Sequence, residues 1–477
     1  MTVTYDADLK LFINGVWKSG EGRDCHAVVN PATGAAMADL PLATAADLDE
    51  ALAASQKAFA IWRATDVEAR GAILHKAADL LRARADSVAV LLTMEQGKPI
   101  GEARGEVMAS ASLLDYFAEE AKRHYGRVLV RPTGQRSIVI KQPVGPVATF
   151  TPWNFPIFLM AKKLSAALAA GCSLIAKPPE ETPGCTSALI QCLVDAGLPA
   201  GVAQLVYGVP DMVSRQLIGS PVIRKVSFTG SVPVGKHLMK LAADGVKRVT
   251  MELGGHAPVL IFDDCDLEKT LDMVVPQKFR NAGQVCVSPT RFYVQEAIYE
   301  RFVTGFAART QAVKIGNGLA ADTKMGPLAN PRRPSAVGAL VEDARGKGAR
   351  VLAGGQAEGG GFFYQPTVLA DVPIEADIMS NEPFGPVAVC AAFASFDDAI
   401  EQANRLPYGL AAFAFTENGR RANLLGDAIE AGMVGINTFA IGGNDTPFGG
   451  VKESGFGSEG GLEGLDGYCA TKAIHQA

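Results

Sequence analysis

The sequence predicts an α/β fold built on parallel sheet, and three observations carry that expectation. Between residues 144 and 242 short apolar runs alternate with helix-like stretches, a pattern that puts helices on both faces of parallel strands. A second region of the same character follows from 253 to 445. The chain has 477 residues, 48% of them hydrophobic and 20% charged, which is ample for more than one core without disulfide or metal staples and excludes a disordered chain.

The elements can be justified in chain order. Leu48, Leu52, Ser55, Phe59 and Trp62 step by four and three, one face of a helix, and Thr44 with Asp47 has the spacing of a capping box at its start. Ile73, Leu74, Ala77, Leu80 and Leu81 repeat the stripe in the next helix. At 127 the period becomes two. Val128 and Val130, then Ile138 and Ile140, predict two strands joined through Pro132-Thr133-Gly134, a ribbon that needs a further partner such as another subunit. The runs PVATFTPW (146–153), SLIAKP (173–178), QLVYG (204–208) and RKVSFTG (224–230) read as parallel strands, with helices near 157–170, 183–196, 210–218 and 233–242 between them. Ligands then gather at the carboxyl ends of these strands. In the second region helices are expected near 266–282 and 296–313 and strands at Phe292–Val294 and Val387–Phe393; GGQAEGGG (354–361) reads as a loop. The tail, 467–474, alternates as if to extend a sheet.

Composition narrows the function classes. Lysine plus arginine (45) nearly balances aspartate plus glutamate (50), and a net charge of −5 without a basic block argues against nucleic acid as a partner. Neither the eight cysteines nor the six histidines have metal-ligand spacing, so no metal site is expected. The N-terminus lacks the layout of a signal peptide, and the longest weakly polar stretch, 164–176, is too short for a bilayer. The expectation is a soluble, reduced, cytoplasmic protein with no membrane partner.

Four segments carry chemistry. FRNAGQVCVSPTR (279–291) places Cys286 among small and polar residues, where a turn offering N–H groups would suit a thiolate nucleophile; the alternative is a small buried hydrophobe. MELGGHAP (251–258) sets Glu252 ahead of two glycines, either a general base or a glutamate at a strand end. TPWNFP (151–156) holds Asn154 between prolines where a strand gives way to a helix, as an oxyanion donor or a helix cap. In FTGSVPVG (228–235), Gly230 and Gly235 bracket a strand-to-helix turn of the kind that meets a diphosphate.

Taken together, PWNFP, KPPE (177–180), FTGS, MELGG, GQVC, EPFGP (382–386) and PFGGVKESG (447–455) resemble the NAD(P)-dependent aldehyde dehydrogenase superfamily over essentially the whole chain. The resemblance implies an aldehyde dehydrogenase-like fold: a Rossmann-type cofactor domain (1–117 and 139–250), an α/β catalytic domain (251–445), and a small β oligomerisation arm with the C-terminal tail (118–138 and 446–477). It implies homodimers or homotetramers. It makes Cys286 the nucleophile, Glu252 the general base and Asn154 the oxyanion donor. Lys177 and Glu180 would hold the adenosine ribose, Trp153 and Ser231 approach the diphosphate, and Glu382 and Phe384 secure the nicotinamide ribose. Thr151, Pro152, Gly230, Gly235 and Leu253 complete the expected cofactor wall. A carboxylate at 180 accepts from a ribose diol and repels a 2′-phosphate, so NAD is expected to be preferred, with NADP tolerated if Glu180 swings away.

NAGQVCVSPTR, EETP, LANPRR (328–333) and the C-terminal motif are most similar to the branch that oxidises succinate semialdehyde and α-ketoglutarate semialdehyde. A substrate ending in carboxylate needs a cation in its tunnel. Arg280 fits that branch's anion-binding position, and its alternative is a structural salt bridge. Lys162 stands where the branch often has arginine. Phe155, Val285, Val287 and Phe439 are the remaining expected substrate contacts. The loop NTFAIGGND (437–445) lacks a serine that some relatives have, which admits a longer or less polar aldehyde. Ser288 stands where some relatives carry a second cysteine, so no local disulfide switch is expected. The rivals are a broad aliphatic or aromatic aldehyde dehydrogenase and a catalytically silent protein of the same fold; the presence of both Cys286 and Glu252 counts against the second.

Overall fold

A computed structural model describes residues 4–477. The apolar runs become the strands Val147–Phe150, Leu174–Lys177, Ala203–Leu205 and Lys225–Gly230, and with Arg248–Leu253 they form the parallel heart of an eight-stranded sheet. Each of the first four is followed by a helix whose first turn carries a proline: Pro156–Ala170, Pro183–Ala196, Pro210–Gly219 and Val232–Ala243. Proline suits that position because the N–H it lacks would have no partner there. The chain lays down Val147–Phe150 first, builds outward through Leu174–Lys177 and Ala203–Leu205, then returns to add Lys225–Gly230 on the other side. The strand order therefore reverses between Val147–Phe150 and Lys225–Gly230. At such a reversal successive loops leave in opposite directions and open a crevice at the carboxyl ends of the strands.

A seven-stranded sheet has its own core. Its strands run in the order Arg350–Ala353, Thr367–Ala370, Val387–Phe393, Arg291–Gln295, Pro258–Ile261, Ala411–Phe415 and Met433–Ile436, and only the first is antiparallel to its neighbour. The motif residues Cys286 and Glu382 precede strands of this sheet, whereas Asn154, Ser231 and Glu252 lie at or beyond the ends of strands in the first.

The ribbon finds its partner within the chain. Arg127–Val130 pairs with Arg136–Pro143, and the other edge of Arg136–Pro143 takes the C-terminal strand Cys469–Gln476 over eight residue pairs. No second subunit is needed for that third strand. One strand runs through residue 138, residues 118–120 close the helix Ile100–Glu120, and Gly455–Phe456 joins the edge of the first sheet. The expected helix near 266–282 ends at Phe279, because Asn281 and Ala282 take left-handed backbone at φ 50° and 53°. The stretch 354–361 contains a two-residue strand, Ala357–Glu358, paired with Phe363–Tyr364. Among the described residues no helix is long and apolar enough to cross a membrane.

The helix Ala45–Trp62 shows how a local signal is locked by tertiary contacts. Thr44 and Asp47 form the capping box, and the same buried carboxylate takes Lys18 at 3.3 Å and both guanidinium nitrogens of Arg23. At the far end Trp62 is fully buried and donates from Nε1 to the Leu168 carbonyl at 3.0 Å. Burial alone would raise the Asp47 pKa, but Arg23, Thr44 and Lys18 hold it well below the usual carboxylate range. Asp47→Ala should lower unfolding stability by about 1–3 kcal/mol near neutral pH. A depressed folded pKa gives stability that is present above the unfolded value and lost on acidification. Thermal unfolding from pH 7 to pH 3 should therefore show the gap between wild type and variant closing.

Candidate active site

Cys286 rides on a turn that the surrounding chain holds from several sides. Asn281, Ala282 and Gly283 are successive left-handed residues, a conformation that non-glycine residues adopt only under constraint. The constraint is visible. Asn281 N–H donates to Glu102 Oε2 at 2.9 Å, Asn281 Nδ2 donates to the Asn154 carbonyl at 2.9 Å, and Gln284 bridges Asn281 O and Ala329 N–H. Gly283 packs against the backbone of the 381–386 loop so closely that a Cβ would lie 2.1 Å from the Gly385 carbonyl. Ser288 N–H closes the turn onto Val285 O at 2.9 Å, with Cys286 between them.

Asn154 is buried under the same turn. Its Nδ2 donates to Gln284 O at 3.1 Å, leaving the second amide hydrogen for a ligand. Its own carbonyl accepts from Lys98, whose ammonium is paired with Glu106 at 2.6 Å. Glu252 lies in the strand Arg248–Leu253, 3% exposed, and neither of its carboxyl oxygens has a hydrogen-bond partner. Burial, with Glu459 adding to it, pushes this carboxyl well above the usual range, against the pull of Lys163 and Lys162. Burial likewise pushes the Cys286 thiol up to about 12, with Glu382 and Glu252 adding to it and Lys162 opposing. Burial thus favours the uncharged form of both groups.

The residues expected at a dinucleotide wall lie around the strand reversal. Thr151 Oγ1 and Thr229 Oγ1 are buried without partners, and Ser231 heads the helix Val232–Ala243 without capping it. Gly230 and Gly235 keep the wall thin: a Cβ would lie 2.3 Å from the Phe228 ring and 2.4 Å from Leu253. Lys177 and Glu180 pair at 2.7 Å, and Glu180 also accepts from Gly208 N–H at 3.1 Å. Across the crevice Phe384, at φ 42°, meets the edge of Trp153 at 5.5 Å, and Arg333 donates to the Pro383 and Phe384 carbonyls. Burial raises Glu382 to about 8, against the pull of Arg333. Pro152 is half-buried beside Thr151.

Next to the nucleophile turn lies a cavity of about 40 Å³ lined by Gln277, Arg280, Val285, Val287, Ser288, Pro289, Phe413 and Phe439. Four of the six expected substrate residues are therefore together. Phe155 and Lys162 are not in this lining. Phe155 carries Arg280 over its ring at 5.2 Å, whereas Lys162 is buried over the Phe448 ring at 3.8 Å, on the side facing Glu252. Arg280 itself is exposed and makes no ion pair among the described residues, so the salt-bridge alternative finds no partner.

The aldehyde dehydrogenase family model matches residues 17–474. The chain belongs to that family. It is 49% identical to a 4-(hydroxymethyl)benzenesulfonate dehydrogenase of Comamonas testosteroni, covering 98% of each chain. It is 42% identical to an NADP-dependent succinate-semialdehyde dehydrogenase of Escherichia coli, covering 96% of each. The solved structure of a succinate-semialdehyde dehydrogenase from Burkholderia pseudomallei superposes with a TM-score of 0.97 at 40% identity over the full length of both chains.

For an aldehyde dehydrogenase the arrangement is chemically coherent. A thiol, an amide donor and a buried carboxyl converge from two sheets, and the carboxyl is poised to take a proton once it is ionised and water is present. Three contributors escaped the sequence reading. Lys163 and Glu459 form a buried ion pair beside Glu252, and Glu102 anchors the nucleophile turn. The available signal was two consecutive lysines within the apolar helix segment LMAKKLSAALAA. Because burial holds the thiol protonated, alkylation of Cys286 by iodoacetamide in the cofactor-free protein should quicken with pH through 10 without a plateau. A plateau near pH 8 would contradict the inferred environment.

Proposed function

We propose that this chain oxidises a short aldehyde carrying a remote anionic group to the corresponding carboxylate, with NAD(P), through a thioester on Cys286. Succinate semialdehyde is the first reading and α-ketoglutarate semialdehyde the next. The observation that carries it is Arg280, an unpaired cation on the wall of a cavity otherwise lined beside the nucleophile by Val285, Val287 and Phe439. A second reading, an aryl aldehyde bearing a sulfonate, is supported by the 49% identical relative and by Phe413 and Phe439 in the same lining.

In this proposal the Cys286 thiol gives its proton to water in the site as its sulfur adds to the aldehyde carbon, and the Asn154 amide and the Cys286 N–H receive the oxyanion. Loss of one such donor costs about 10²–10³ in rate. A dinucleotide held there would accept the hydride that leaves the tetrahedral carbon, and its loss leaves a thioester on Cys286. Glu252 then removes a proton from water, which adds to the acyl carbon; the carboxylate leaves and the thiol is restored. Lys177, Glu180, Ser231, Glu382 and Phe384 hold the dinucleotide, in a cofactor half ending near 250, with a catalytic half to 445. Glu180, fixed by Lys177 and Gly208, disfavours a 2′-phosphate and makes NAD the preferred cofactor. The three-stranded arm joins copies into a dimer or tetramer.

The test is kcat/KM for succinate semialdehyde, α-ketoglutarate semialdehyde, 4-formylbenzenesulfonate, hexanal and benzaldehyde with both cofactors, in wild type and Arg280→Ala. Anionic aldehydes should win by about tenfold or more, and the variant should raise KM for them far more than for neutral ones. Victory of the neutral aldehydes by the same margin would overturn the proposal.

A further inference from the structure

Four lysines are buried around the nucleophile, and three of them have an evident counterpart. Lys98 pairs with Glu106, Lys163 pairs with Glu459, and Lys162 lies against the Phe448 ring with Glu459 and Glu252 nearby. Lys278 is different. It occupies the last turn of the helix Leu267–Phe279, is 1% exposed, and makes no ion pair among the described residues. Its ammonium donates to Ser288 Oγ at 3.2 Å. The titratable groups facing it are Glu382, from the loop before Val387–Phe393, and His256, from the turn after Arg248–Leu253; neither is within ion-pair distance. Burial holds His256 neutral, its Nε2 bonded to the Ile378 carbonyl at 2.8 Å.

An ammonium taken out of water without a counter-ion is costly, so such a group either gives up its proton or keeps its charge where an anion can reach it. The direction in which that anion lies is given by Ser288. The same side chain that accepts from Lys278 lines the cavity shared by Arg280, Val285, Val287 and Phe439. The buried charge is one hydroxyl away from the substrate space, on the inner side, while Arg280 stands at the exposed rim.

We infer that Lys278 is a specificity-determining residue, whose ammonium, acting through the Ser288 hydroxyl, forms the inner positive pole for the anionic end of the substrate, with Arg280 as the outer pole. This rests on the proposed preference for anion-tailed aldehydes and assigns part of it to a residue outside the cavity lining. It also gives that preference a pH dependence. Burial pushes Lys278 down to about 7, opposed by Glu382, so the empty site loses its charge as pH rises through neutrality. KM for an anionic aldehyde should climb several-fold between pH 6.5 and 8.5, while KM for hexanal does not follow it. A change caused by Glu382 acting on the cofactor would move both aldehydes together.

The experiment measures KM and kcat for succinate semialdehyde and hexanal across that pH range in wild type, Lys278→Met, Ser288→Ala and Arg280→Ala, with inhibition by succinate as a second readout. Lys278→Met should cut the anionic-to-neutral kcat/KM ratio about tenfold, mainly through KM, weaken succinate inhibition, and flatten the pH dependence of KM. Ser288→Ala should move the ratio the same way. If Lys278→Met does not fold, Ser288→Ala and the wild-type profile decide, and a flat wild-type KM profile overturns the inference. A Lys278→Met enzyme that keeps its ratio while Arg280→Ala loses it also overturns the inference and leaves the proposed function standing. A wild type without any anionic preference removes both.

Discussion

Desolvation of ionisable groups that have been given no partner is the constraint on which this molecule depends. Glu252 has two carboxyl oxygens without a donor, and the Cys286 thiol is pushed far from ionisation beside it. A surface carboxylate and a surface thiol would each be easier to fold around. Kept dry, both are biased toward their uncharged forms. The nearby Lys163–Glu459 pair is closed on itself, so it biases Glu252 without neutralising it.

The architecture serves that constraint. One sheet delivers Asn154 and Glu252 at its carboxyl ends; the other receives Cys286 and Glu382 before its strands begin. Neither sheet alone encloses the site. The contact that registers the two is the nucleophile turn against the loop of the first sheet, with Asn281 Nδ2 on the Asn154 carbonyl and Asn154 Nδ2 on the Gln284 carbonyl, while Gly283 packs the turn on the 381–386 loop of its own sheet. The left-handed run at 281–283 is the local cost of turning the chain sharply enough to present the thiol there, and the hydrogen bonds that Asn281 donates to Glu102 and Asn154 and accepts from Gln284 offset it.

What could be read in the sequence was what local chemistry writes there. The capping box at Thr44, the apolar stripes of the first helices and the alternation of the ribbon each depend on residues a few positions apart. Cys286, Glu252 and Asn154 were recognisable because each stands in a compact motif, and the family match supports the resemblance those motifs carried. The partners of those residues were not legible. Lys163 and Glu459 are 296 positions apart, and Asn281 and Glu102 are 179 apart, so only the folded chain shows that they meet. The helix expected to reach 282 stops at 279 because those distant contacts outweigh helix propensity, in a stretch where Ala282 would otherwise favour continuing. Lys162, placed by resemblance with the substrate residues, is buried on the Phe448 ring with Glu459, Glu252 and Cys286 acting on it, which no local pattern shows.

In the proposed reaction the acyl group of the substrate resides on Cys286 and leaves only when Glu252 activates water. The most direct measurement is intact and peptide mass spectrometry of Glu252→Gln quenched after mixing with aldehyde and NAD. The account predicts one acyl adduct per chain, on the peptide containing Cys286, accumulating while product release stalls. Reduction of the cofactor with no adduct, or with the adduct on another of the eight cysteines, would contradict it.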